Sequence, residues 1–209
     1  MSRPTLMRTL VATGAASLVA CTSACAPQSP TESTADFTSA AQTGTAFSSP
    51  AASSSASAGI TPLGEASKEM RTQRPSVPSL LVPQEVRIGS HKGFDRVVIE
   101  FAGTGKPGWY IDYVDTPTQQ ASGLVVDIPG DSFLNVNIDG LVLPFEVGLD
   151  SDAVTDLVKG PGPIVTAVKP SGTFEGRGQF VIGLNGSPAP YSVEVLDNPV
   201  RVVIDIRKQ

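Results

Sequence analysis

Phe94–Phe101 reads FDRVVIEF, and near the end of the chain Asp197–Ile206 reads DNPVRVVIDI. The two are close copies: an Arg-Val-Val run, an isoleucine and an acid, set among apolar residues. Alternate residues of a strand share a face. Val97, Ile99 and Phe101 therefore fall together, as do Val202, Ile204 and Ile206. These are the expected core faces. Arg96, Val98 and Glu100 lie on the opposite side of the first copy, and Arg201, Val203 and Asp205 on that of the second. Paired antiparallel and in register, Arg96 would oppose Asp205 and Glu100 would oppose Arg201, a favourable cross-strand arrangement that parallel pairing would forfeit. The other arrangement open to the sequence places the copies apart, at equivalent positions in the two halves of a sandwich.

Similar runs surround the pair. Glu85–Gly89, Trp109–Val114, Leu124–Ile128, Phe133–Ile138, Ile164–Lys169, Gln179–Leu184 and Tyr191–Leu196 are β-rich, and GTGKPG, QQASG, PGDS, PSGTFEG and LNGSPAP punctuate them. Short strands between such turns predict an all-β fold, a β-sandwich of about nine strands. One short helix is expected in LDSDAVTDLVKGPG, where Asp150 or Ser151 would cap, acids crowd the first turn and Gly160-Pro161 stops it.

Upstream the chain changes character. Arg3 and Arg8 precede a short apolar run that ends at Ala20, the form of a secretory leader, too short to span a bilayer. Leu18-Val19-Ala20-Cys21 resembles the lipobox of bacterial lipoproteins. That resemblance implies removal of residues 1–20, acylation of Cys21 and a cell-membrane location on the extracytoplasmic side. Two or more acyl chains hold a protein firmly to a bilayer. From Cys21 to Val82 the chain is rich in Ser, Thr, Ala and Pro, with SSPAASSSASAG at its purest. This composition predicts a disordered tether spanning roughly 40–45 Å. Residues 83–209 remain as a single domain.

The composition also excludes. Both cysteines, Cys21 and Cys25, lie at the leader junction, so a disulfide framework and a cysteine-based metal or nucleophile site in the domain are ruled out. The net charge is −5 and no Lys/Arg-rich run is present, so nucleic acid is not an expected partner. His91 is the single histidine, read as an exposed loop residue; a zinc site and a Ser-His-Asp triad lack their parts. Asp150, Asp152 and Asp156 lack the spacing of a calcium loop and fit a helix cap. No catalysis, metal or cofactor is expected.

Binding chemistry has clearer candidates. Trp109 in GWYIDYVD shares a strand face with Ile111 and Tyr113, while Tyr110 shares the other with Asp112. Trp109 is either a core residue or, with Tyr110 and Asp112, a sugar-stacking platform. Arg96 and Arg201 form either a charge ladder or a site for carboxylates, for which guanidinium offers bidentate geometry.

GFDRVVIEFAG followed by YSVEVLDNPVRVVIDI resembles the AMIN domain, most closely the AMIN-like variant of actinobacterial lipoproteins. Leu196, Pro199, Arg201, Val202, Val203 and Asp205 carry the ending of that pattern, and the likeness runs from about Val86 to Arg207. It implies a β-sandwich that binds peptidoglycan or another wall component without acting on it. The other reading is an adaptor lipoprotein whose partner is another envelope protein. Clustered aromatics and arginines on a sheet face favour the first; a flat apolar patch or an open edge strand favours the second.

Overall fold

The structure, a computed structural model, describes residues 59–150 and 154–208. The leader, Cys21 and the Ser-rich stretch up to residue 58 lie outside the described residues. Ten strands follow one another: β1 (Arg71–Gln73), β2 (Ser76–His91), β3 (Phe94–Lys106), β4 (Gly108–Val114), β5 (Ser132–Asp139), β6 (Val158–Lys159), β7 (Val165–Phe174), β8 (Arg177–Leu184), β9 (Tyr191–Leu196) and β10 (Val200–Arg207). They form two antiparallel sheets, one of four strands in the order β2-β3-β10-β9 and one of six in the order β1-β4-β5-β8-β7-β6. The fold is an all-β sandwich.

The twin strands are neighbours. β3 and β10 pair antiparallel, with Val97 opposite Ile204, Ile99 opposite Val202, Arg96 opposite Asp205 and Glu100 opposite Arg201. Their inner faces meet the inner face of the six-stranded sheet, where Ile111, Leu134, Val136, Phe180 and Ile182 are buried in the same cluster as Ile99 and Ile204. Each such side chain removed from water contributes about 1.5–3 kcal/mol. Two tight turns fix the hairpin registers. Lys92-Gly93 joins β2 to β3, and Glu175-Gly176, with φ of 49° and 78°, joins β7 to β8 in the doubly left-handed form that suits twisted strands. Gly103 holds φ 100° where β2 crosses β3, and a Cβ there would meet the Leu80 carbonyl oxygen at 2.0 Å.

Four features depart from the sequence reading. Leu124–Ile128 forms no strand; Val126 and Ile128 instead bury against Ala167 and Val181, packing the loop onto the outer face of the six-stranded sheet. The helix expected from Asp150 is absent from the described residues. Residues 151–153 lie outside them, and beyond them Val158–Lys159 pairs with β7, so β-branched edge pairing outweighs the capping signal. Among the described residues the one helical turn is a 3-10 turn at Pro144–Val147, where Pro144 presets φ, Glu146 Oε1 accepts the Leu143 N–H at 3.0 Å and Gly148 closes it at φ 71°. Finally, the sequence places the end of the tether at Val82, whereas β1 and the first half of β2 precede Pro83 and Leu81 and Val82 are wholly buried. Residues 59–82 thus belong to the folded body.

Candidate functional site

Outward-facing residues of β2, β3 and β10 build a groove of about 380 Å³ on the four-stranded sheet, lined by Arg87, His91, Arg96, Val98, Arg201 and Val203 with the backbone of Ile88 and Gly89. Strand alternation puts these side chains there, opposite the core. Val98 and Val203 are cross-strand partners and form an apolar floor. Gly89 stands opposite Arg96 and leaves room for the His91 ring, whose Nε2 would lie 3.2 Å from a Cβ at that position. His91 is not a free loop residue. It ends β2 and stacks on Phe94, centroids 4.7 Å apart and planes 11° apart.

The two candidate arginines of the twin strands live in different media. Arg96 is 3% exposed and its guanidinium is fully engaged. Nε and Nη2 donate to the Asp205 carboxylate at 2.6 and 2.7 Å, Nη1 donates to the Gly59 carbonyl at 2.7 Å, and Nη2 also reaches the Thr61 carbonyl at 3.0 Å. The group sits 5.2 Å from the centroid of Phe94. A fork so engaged by Asp205 and by Gly59 and Thr61 has no edge left for a ligand of the groove, where Arg96 is structural. Arg201 is half-exposed at the groove's rim and donates to the carbonyls of Pro199 and Asp197 at 3.2 and 3.5 Å. Across the floor stands Arg87, exposed, bonded to Glu85 at 2.7 Å and Glu100 at 2.8 Å. Glu85 faces Glu100 across the β2–β3 pairing, so Arg87 separates two like charges.

The aromatic candidates fall elsewhere. Trp109 is 7% exposed and packs in the core with Ile111. Its ring has no open face, which removes it from any sugar platform. Tyr110 and Asp112 point outward from β4, on the far side of the sandwich from Arg201, and Tyr110 Oη approaches Asp112 Oδ2 at 3.5 Å. They continue into a polar row: Asp112 Oδ1 accepts from Asn135 at 3.3 Å, and Asn135 Oδ1 accepts from Gln179 at 3.0 Å. Gln179 is tied to the covering loop through Thr118 and Gln120. The five candidates are therefore divided among the core and two opposite outer faces, and form no single site.

Asp95 escaped the sequence reading. It is wholly buried on the core side of β3, accepts from Ser90 Oγ at 2.8 Å and from the backbone N–H of Ile164 and Val165, each at 2.9 Å. A Cβ at Gly162 would lie 2.3 Å from its oxygens, so the glycine lets the loop close on the carboxylate. The signal was its parity: Asp95 alternates with Val97, Ile99 and Phe101, and an acid on a core face must be hydrogen-bonded. Tyr113 Oη donates to the Ala189 carbonyl at 2.6 Å, and burial pushes its pKa up to about 12; burial raises that of Tyr191 as well.

The family model for the AMIN-like domain matches residues 81–208, more than half of the chain. The chain belongs to that family, and the membership points to a module of the extracytoplasmic cell envelope. No curated protein and no solved structure matches it. Among the described residues no helix is long and apolar enough to cross a membrane.

Proposed function

We propose that this AMIN-like chain is a non-catalytic, membrane-anchored module of the cell envelope, held by an acylated Cys21, whose domain binds a carboxylate-bearing wall component, with peptidoglycan as the ligand. The observation that carries the reading is the groove: two arginines, Arg87 and Arg201, flank a valine floor on an otherwise acidic protein. Guanidinium edges suit carboxylates, and an apolar floor between them suits the methyl groups of a short peptide stem. The carboxylates of Glu85 and Glu100 hold Arg87 in place until a ligand acid competes for it.

Co-sedimentation with insoluble cell wall tests this. Arg87→Ala/Arg201→Ala should abolish wall binding while the melting temperature stays near wild type, because exposed ion pairs contribute only about 0–1 kcal/mol. Binding that survives the double substitution would remove the groove from the function. A second reading, an adaptor for another envelope protein, draws on a specific surface. Phe145 is 74% exposed, and its chain neighbours Leu143 and Glu146 line a cleft with Phe174. Loss of a co-purifying protein in Phe145→Ser, with wall binding intact, would favour that reading.

A further inference from the structure

Gly59–Ser67 lies upstream of the family match and forms a strap across the outer face of β3, β10 and β9. It is held by its main chain. Gly59 and Thr61 offer carbonyls to Arg96, the Leu63 N–H donates to Asp205 Oδ2 at 2.6 Å, and the Leu63 carbonyl accepts from Ser192. The Gly64 carbonyl accepts from Arg207 Nη2 at 2.6 Å, and Ser67 exchanges both backbone bonds with Tyr191 at 3.0 and 2.9 Å. The strap's side chains contribute little: Ile60 is 85% exposed, and Thr61, Pro62 and Gly64 are exposed too.

These features belong to a receptor for backbone. Arg96 and Asp205 fix each other bidentately, so donors and an acceptor are aimed outward before any peptide arrives. Because few apolar side chains of the strap are buried, lifting it exchanges protein hydrogen bonds for water hydrogen bonds, a nearly balanced exchange. Whatever replaces it needs an extended main chain and no particular side chains. We infer that Arg96, Asp205, Ser192 and Arg207 form a binding site for an extended polypeptide, filled in cis by the strap and, when it lifts, open in trans to the strap of a second copy of this chain, the segment whose backbone already fits these groups. The site adjoins the groove at Arg96, which borders both, but Arg87 and Arg201 make none of these bonds.

A fluorescent peptide with the strap sequence, GITPLGEAS, tests it on the full chain. Leu63→Pro removes the N–H given to Asp205 while leaving an extended backbone, and should weaken the strap in cis. The peptide is expected to bind the Leu63→Pro chain saturably and at least tenfold tighter than wild type. A peptide of equal length with altered side chains should compete. Arg96→Lys in that background should weaken binding at least tenfold, and Arg207→Gln, at the rim, serves the same purpose should Arg96→Lys fail to fold. Sedimentation of the wild type tests the occupant: a concentration-dependent dimer, lost in Leu63→Pro, is expected, and a monomer at every concentration overturns exchange of the strap between copies. No saturable binding to folded Leu63→Pro chain, or binding unaffected by both the Arg96 and Arg207 substitutions, overturns the inference.

Discussion

Arg96 and Arg201 answer to the same letters in twin motifs, and what separates them is water. Arg96 is buried with both prongs bonded, so Arg96→Ala leaves Asp205 as an unpaired buried charge and should cost about 3–5 kcal/mol in urea unfolding. Arg201→Ala, half in solvent, should cost under about 1 kcal/mol. Equal losses would mean that the strap does not shield the Arg96–Asp205 pair. Asp95→Ala should cost about 1–3 kcal/mol by stranding two backbone donors. Tyr113 adds a pH dependence. Its folded pKa, about 12, exceeds the ordinary tyrosine value of 10.0, so above pH 10 the unfolded state releases protons that the folded state keeps. The contribution is present in full below pH 10 and is lost as pH rises toward 12. Unfolding followed from pH 8 to 12 should show a steeper alkaline decline in wild type than in Tyr113→Phe, with a remaining slope from Tyr191.

At the scale of strands, the sequence was most legible where period and partner agree. FDRVVIEF and RVVIDI alternate cleanly, so their core faces were readable; their complementary charges made antiparallel pairing one of two open arrangements, and it is the one the structure adopts. Ile204→Ala should lower stability by about 2–5 kcal/mol, a loss measurable by thermal or urea unfolding. Legibility failed where tertiary context decides. Arg71–Gln73 is too short to announce itself and becomes β1 only because the edge of β4 is open to it. Val126 and Ile128 carry a strand's composition but bury as a loop. Residues 59–67 look like tether because their polar backbone groups, more than their side chains, make the contacts. The candidate site shows the same limit. Arg201 was found by its motif, but Arg87 was not, because only the β2–β3 register brings it beside the floor. Trp109 was placed on a face correctly, yet which face was inner needed the second sheet. Limited proteolysis should leave a fragment beginning near Gly59; one beginning near Pro83 would contradict the strap.

The whole molecule combines an acidic chain, net −5, with a local basic rim. Wall binding through that rim should weaken as salt is raised from 50 to 500 mM, since exposed charges are screened within about 10 Å at 0.1 M. Anchoring is a separate matter. Cys21→Ala should shift the protein from the membrane fraction to the medium or leave it unprocessed, and mass spectrometry of the mature N-terminus should find a modified Cys21. The strap sets where mechanical load enters. Among the described residues a pull from the N-terminal side arrives first at Gly59, so the Arg96 and Asp205 bonds bear force before any core strand does. In an optical trap this predicts a small reversible step, about 30 Å for the strap's own length, before the sandwich ruptures. The strap would then be a fuse that gives way under strain and leaves the domain folded behind it.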